Sequence, residues 1–400
     1  MNKSKLWTKN FITIALANLF VALSFYLLMT TMAVFAIEQF HASESKAGLA
    51  ASIFIIGALL SRLFAGKYIE VVGRRNMLFG SLLLFFIATL LYFPVASLNL
   101  LLLVRFIHGV AFGVANTALS TIAMDMIPND RRGEGTGYYS LSATGATAVG
   151  PFLGLFISQH AAPKMIFVAC TLFTVVSIFI LLFTKIPQAT ITMAQLEEMK
   201  RGFKLQDFFE RKALPISIVM IFMGIAYSGI VSFINSYAID IDLVESGSLF
   251  FIIYAVFLFL SRPFTGRLLD AKGDNIVIYP ALIIFSLSLL LLSQVHHAFV
   301  FLLCGALIAL GFGTMMSSAQ AIAIKLSPKH RVGLATSTFF ICLDGGMGIG
   351  PFLIGMIVPH VGYRGMYIAL AILVFLSIYL YYFLHGKKGT IAQQQSPAAS

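Results

Sequence analysis

Asp344 stands about twelve residues into a long apolar run, within Asp344-Gly-Gly-Met-Gly-Ile-Gly-Pro351, and it is the only acid near the middle of any such run. A carboxyl group whose access to water alternates can take up a proton on one side and release it on the other. The glycines allow close helix contact, and Pro351 frees a backbone carbonyl, so a helix can bend there. A second group is Arg105, His108, Phe112 and Asn116, spaced three, four and four apart, which sets them along one helical face. An arginine inside an apolar run is costly and calls for a cavity, a carbonyl or a charge partner. Asp344, Arg105 and His108 are therefore the candidate proton-coupling groups. The competing reading is static: Arg105 as a packing element, Asp344 paired with Arg262 or an amide.

Polar residues scattered through the other runs would line a cavity for a small molecule. These are Asn18, Tyr26, Tyr138, Tyr227, Asn235, Tyr254 and Gln320, together with Phe112 and Asn116. Each taken singly reads equally well as an interhelical hydrogen bond, worth ~0.6 kcal/mol on average.

Charge is concentrated in the stretch SRLFAGKYIEVVGRRNML, residues 61–78, and a gapless shift of 200 brings up SRPFTGRLLDAKGDNIVI, residues 261–278. The same shift aligns Phe112-Gly113, Pro128, Arg131, Gly133 and Thr136 with Phe312-Gly313, Pro328, Arg331, Gly333 and Thr336. It also aligns Gly150-Pro151 with Gly350-Pro351, the candidate helix-bending pairs. Two changes of sign accompany it: Arg74 corresponds to Asp274, and Asp125 to Lys325. If Arg74 faces Asp125, then Asp274 faces Lys325, and each copy keeps an ion pair of opposite polarity. The alternative is a set of solvated loop charges worth ~0 to 1 kcal/mol.

The elements that carry these residues are dictated by composition. With 59% hydrophobic and 11% charged side chains in 400 residues, the chain has too little polar surface to cover a soluble globule. It reads as an all-α integral membrane protein with twelve apolar runs of spanning length. The runs are 11–37, 47–68, 77–96, 99–124, 136–157, 165–184, 214–239, 248–268, 276–294, 299–324, 333–357 and 365–385. The first is too long for a signal-peptide core and is expected to be retained. Six runs precede and six follow the segment 185–213, a polar linker whose Leu196, Met199, Phe203 and Phe208 suggest an amphipathic interfacial stretch. The expected domains are thus 1–184 and 214–386, two six-helix bundles, with a disordered tail at 387–400. Most Lys and Arg residues fall in alternate loops, which puts those loops and both termini in the cytoplasm. The net charge of +11 describes that rim facing anionic lipid and gives no reason to invoke nucleic acid. Cys170, Cys304 and Cys342 lie inside runs without metal-ligand spacing and read as small apolar fillers.

A parallel repeat of six helices about an axis along the membrane normal is a known transporter plan, with the substrate site near the midplane. Three motifs add a resemblance to the major facilitator superfamily. Gly66-Lys-Tyr-Ile-Glu70-Val-Val-Gly73-Arg74-Arg75 resembles its signature between helices 2 and 3, with Glu70 where Asp is usual. Leu101-x-x-x-Arg105-x-x-His108-Gly109 resembles the fourth-helix signature, with His108 where Gln is common. Gly150-Pro151-x-x-Gly154 resembles the fifth-helix signature of exporters, although Ala146 and Leu155 stand where Gly is expected. The resemblance implies that Glu70 lies beside the start of helix 11, around Gly333 to Thr336, where a carboxylate is favoured by ~0.3 to 1 kcal/mol. Gly66, Glu70, Gly73, Arg74, Asp125, Asp274 and Lys325 would then form a cytoplasmic gate that holds a conformation rather than cargo.

The expected function is secondary transport by alternating access: proton-coupled export of drugs or of a secreted metabolite such as a metal chelator. Proton-coupled uptake is the alternative, and a membrane sensor that has lost transport is a third reading. Since the sequence has no nucleotide-binding loop, energy is expected from an ion or solute gradient, with protons favoured. The chain is expected to be a plasma-membrane monomer rather than an enzyme, with no cofactor or metal; its partners are a small-molecule substrate, protons and lipids.

Overall fold

The computed structural model describes residues 5–42, 44–188, 192, 193, 197 and 207–387. Leu196, Met199 and Phe203 of the linker, and the tail from 388 onward, lie outside the described residues. Among the described residues there is no strand, and eleven helical stretches are long and apolar enough to cross a membrane. In chain order they begin with α1 (Lys9–Phe40), α2 (Glu44–Val72), α3 (Arg74–Leu91), α4 (Leu98–Met126), α5 (Arg132–His160) and α6 (Lys164–Leu182). There follow α7 (Leu214–Asp240), α8 (Val244–Lys272), α9 (Asp274–Ser293) and α10 (Ala298–Lys325). The last, Val332–Tyr381, is two helices run together across Gly362, whose φ of 69° and ψ of 176° are not helical. We call its parts α11 (332–361) and α12 (363–381); the break falls in the gap between the last two apolar runs.

Local chemistry sets the ends. The hydroxyl of Thr8 accepts from Phe11 N at 3.2 Å, and that of Ser97 from Leu100 N at 3.3 Å, so α1 and α4 start at side-chain caps. Both α2 and α8 outrun their apolar stretches and continue through the charged signature, α8 past Pro263. They stop at Gly73 and Gly273, whose φ values of 91° and 84° are left-handed. Only glycine adopts that conformation without strain, which explains why both copies of the loop carry one. Farther along, the short turns Asn129–Arg131 and Lys329–Arg331 stand at positions shifted by 200, each leading into the next long helix.

The chain divides into two compact units. One holds Met1–Pro128, Tyr139–Glu210 and Pro328–Thr338; the other holds Asn129–Tyr138, Arg211–Ser327 and Phe339–Ser400. The first turns of α5 therefore belong with the second unit, and the first turns of α11 with the first. In the first unit Leu27, Leu28, Tyr92, Leu101, Val104, Phe167 and Cys170 form a buried cluster. Large apolar side chains also point outward: Phe264, Phe299 and Phe383 are each more than 70% exposed, as suits a lipid-facing surface. The three cysteines are buried and unbridged.

One interruption has no counterpart in the other copy. Within α10 the residues Ala309–Gly313 form a π-turn, whereas α4 is regular throughout. A side chain at Gly311 would meet the backbone of Phe285 on α9, so the widened turn sits where two helices touch most closely.

Candidate functional site

The signature of the first unit closes around Arg74, which is fully buried. Its Nη2 donates to Glu70 Oε1 at 2.7 Å, and its Nη1 to Asp125 Oδ2 at 2.8 Å. Its backbone amide donates to the Gln188 side chain at 3.2 Å. Glu70 is near the end of α2 and Arg74 opens α3, so this pair is made across the turn at Gly73. The start of α11 lies along the same stretch of α2: a Cβ on Gly66 would collide with Ser337, whose hydroxyl donates to the carbonyl of Arg62, and one on Gly333 would collide with Ile69. The end of the linker joins the same cluster. Phe208 lies under the Lys67 ammonium at 4.5 Å, Glu210 accepts from Arg331 Nε at 2.8 Å, and the Glu210 amide donates to the Thr338 hydroxyl at 2.9 Å.

In the second unit the arrangement is inverted. Asp270, which the shift of 200 pairs with Glu70, accepts from the backbone amides of Gly133 at 2.7 Å and Glu134 at 2.9 Å. A carboxylate over the first amides of a helix satisfies donors that have no intrahelical partner. Asp270 makes at the start of α5 the kind of contact that resemblance assigns to Glu70 at the start of helix 11. Glu134 in turn accepts from Arg131 Nε at 2.7 Å and Arg267 Nε at 2.9 Å. The expected pairing of Asp274 with Lys325 is replaced: Asp274 Oδ2 meets His385 Nε2 at 2.9 Å. The helix continues past Tyr381 through the π-turn Tyr382–Gly386, and the Asn275 side chain donates to Gly386 O at 3.0 Å.

The polar residues of the first unit separate into two groups. Arg62 Nη1 donates to Asn116 Oδ1 at 3.0 Å, Asn116 Nδ2 to Asn18 Oδ1 at 3.1 Å, and Asn18 Nδ2 to Ser142 Oγ at 2.8 Å. This relay crosses α2, α4, α1 and α5. Phe112 packs beside it, 5.9 Å below the Arg62 guanidinium. Nearer the other end of α4, Arg105 Nε donates to the Ala50 carbonyl at 2.9 Å, and its guanidinium lies 4.7 Å from the Phe54 ring. His108 Nδ1 shares a hydrogen bond of 3.1 Å with the Tyr92 hydroxyl, and Phe85 packs against the ring at 4.1 Å. The stripe from Arg105 to Asn116 is therefore one helical face serving two environments.

Tyr26 backs Gly150, and Thr31 and Leu27 back Gly154, so α1 and α5 cross at the Gly150-Pro151 motif. The repeat holds here: Gly350, beside Pro351, lies against Ser228 and Ile225 of α7, and Gly346 lies against Ile221. Asp344, half-buried, is two residues before that crossing. Tyr227 stacks on Phe312 at 3.9 Å and lies 5.9 Å from Tyr254. Gln320 is buried and Tyr138 half-buried. Asn235 falls in α7, but its side chain lies outside the described residues.

Among the contributors that the sequence pattern does not single out are Arg62, Asp270, Glu134 and Glu210. Asp270 had a signal, since the shift of 200 from Glu70 lands on it. Arg62 lay inside the repeated Ser-Arg pair. Glu134 and Glu210 carried none beyond their charge.

A family model described as Major Facilitator Superfamily matches residues 14–277 and 240–398. The staphylopine export protein of Staphylococcus aureus (strain Mu50 / ATCC 700699) is 25% identical over 355 residues, covering 83% of this chain and 85% of that protein. Multidrug resistance protein 1 of Bacillus subtilis (strain 168) is 23% identical over 358 residues, covering 86% and 89%. Among solved structures, the human organic anion transporter MFSD10 (TETRAN) aligns with a TM-score of 0.74 at 15% identity, over 93% of this chain and 99% of that one. The proton:xylose symporter XylE aligns with a TM-score of 0.75, also at 15% identity, over 94% and 95%.

Proposed function

The chain belongs to the Major Facilitator Superfamily, and from that premise we propose that it is a proton-coupled exporter of small organic molecules. It works by alternating access between two six-helix bundles that together cross the plasma membrane twelve times, with both termini in the cytoplasm. The observation that carries export is the likeness, over more than four fifths of the chain, to proteins named for staphylopine export and multidrug resistance. The glycine crossings of α5 on α1 and of α11 on α7 support it, because they let helices pivot at close range.

Asp344 is the proton carrier of this reading. It sits half-buried beside the Gly350 crossing, where a change in helix packing changes its access to water. Arg105 and His108, enclosed by Phe54, Phe85 and Tyr92, respond to that change rather than exchange protons with water directly. The relay from Arg62 to Ser142 and the Tyr227, Tyr254 and Phe312 group supply polar and aromatic walls. The clusters around Arg74 and Asp270 act as gate latches at the cytoplasmic end, and the Gly-Pro pairs as pivots.

The test begins by comparing the compounds retained in cells with and without the protein. Everted membrane vesicles energised with a proton gradient should accumulate the compound so identified, and Asp344→Asn should abolish accumulation at normal insertion. Accumulation in right-side-out vesicles instead would turn the reading to uptake; unchanged flux in Asp344→Asn would remove that residue from the mechanism.

A further inference from the structure

We propose that Arg262 is the receptor for a carboxylate on the transported molecule, which makes organic acids the substrate class. The inference rests on the export reading and deepens it.

Three of the largest fully buried side chains are arginines: Arg74, Arg105 and Arg262. Arg74 lies between two carboxylates. Arg262, deep in α8 and 1% exposed, has neutral acceptors only. Its Nη1 donates to the Gly313 carbonyl at 3.1 Å and to the Ser317 hydroxyl, and its Nε has no hydrogen-bond partner. Among the described residues no carboxylate pairs with it. An uncompensated charge inside a membrane protein is costly and marks a pathway when it is kept. A polar neutral side chain would make the Gly313 and Ser317 contacts as well. The guanidinium adds a rigid fork of donors matched to a carboxylate, and its Nε edge is the part left unused.

What covers Arg262 points the same way. The first turns of α5 lie on its stem, where a methyl group added at Gly137 would touch Cδ at 3.5 Å. Those turns are fastened by Asp270, through the Gly133 and Glu134 amides, and by Arg267, through the Glu134 carboxylate. Both fastenings stand on α8 itself, one and two turns beyond Arg262. Releasing them uncovers the arginine at the end of the helix that the proposed topology places in the cytoplasm, so the acid is taken up from inside the cell. Tyr254, two turns to the other side on α8, and Tyr227 beside it offer aromatic surface for the body of such a molecule.

The protein in lipid nanodiscs is titrated with two fluorescent probes that share a dansyl group: dansyl-glutamate, which carries carboxylates, and dansylcadaverine, which carries an amine. Wild type should bind the acid and not the amine. Arg262→Gln should weaken acid binding by about tenfold or more, as truncation of a buried charge contact does, and Arg262→Lys should bind between the two. Asp270→Asn, which frees the cover and leaves Arg262 in place, should speed association of the acid probe. The proposal is overturned if wild type binds only the amine or neither probe, or if Arg262→Gln binds the acid as wild type does. Where the Gln variant does not insert, the Lys variant decides, and affinity equal to wild type overturns the fork. Export is judged separately by the vesicle assay on whatever compound the cells retain, so a pump of cationic dyes indifferent to Arg262→Gln would keep the function and lose the acid site.

Discussion

The two copies of the charged loop take part in clusters whose centres carry opposite charge. In the first unit the centre is a cation, Arg74, held by Glu70 and Asp125. In the second it is an anion, Glu134, held by Arg131 and Arg267. The acid of the first copy is held by the arginine that opens the next helix, and the acid of the second reaches the backbone amides of α5. The copy that looks degenerate in sequence therefore makes the helix-capping contact, while the copy with the fuller signature makes an ion-pair core. A shared backbone plan fixes where charges stand, and their signs decide what they hold.

The largest effect should come from the buried cation. Arg74→Ala strands Glu70 and Asp125 without their partner, a change that costs about 3 to 5 kcal/mol when the pair is buried, and it should appear as a large fall in the thermal midpoint of the purified protein. The charge swap of Arg74→Asp with Asp125→Arg should rescue incompletely, since Glu70 then faces an introduced carboxylate; adding Glu70→Gln should improve it. Next comes Asp270→Ala, which removes a charged acceptor from two amides. Hydrogen bonds to charged groups are worth about 1.5 to 3 kcal/mol, so accessibility of a cysteine placed at Gly137 should rise by roughly tenfold or more toward a water-soluble maleimide.

A smaller and more discriminating pair tests the close approaches. Alanine at Gly66 would strike the Ser337 side chain, and alanine at Gly266 would strike the backbone of Gly133 and Glu134. Overpacking of this kind costs about 1 to 3 kcal/mol. Ser337→Gly should restore flux to Gly66→Ala, whereas no side-chain truncation should restore Gly266→Ala. Least affected should be Arg267→Ala: its side chain is 57% exposed, and such a surface pair contributes about 0 to 1 kcal/mol. Flux close to wild type is expected, and a loss as large as that of Asp270→Ala would mean that Glu134, rather than the amide cap, carries the latch.

Much of the frame is legible in the sequence because bilayer thickness and helix rise leave few choices for runs of this length. The repeat is legible because Gly73 and Gly273 serve the same left-handed turn and Gly150 and Gly350 the same helix crossing. The Arg74 to Asp125 contact is suggested by the paired reversal of sign, and it is made. Asp274 departs from that logic because His385, 111 residues away at the end of the last helix, reaches it, and no periodicity reports such a meeting. Glu70 is held by Arg74 just across the turn at Gly73, a partner so near in the chain that it is met at little cost in loop closure. The sorting of Arg105 and Asn116 into different environments depends on which neighbours reach α4, and spacing along one helix carries no record of them.

The π-turn at Ala309–Gly313 changes what equivalence between the copies means. A π-turn acts as one residue inserted into an α-helix, and each residue advances the helix by about 100°. The match between the copies nevertheless survives it: Arg62 donates to Thr117 and Arg262 to Ser317, equivalent partners four residues past Gly113 and Gly313. The extra rotation is thus taken up inside the widened turn, and the index is back in step one turn later. One rod of a matched pair carries a slack link that the other lacks.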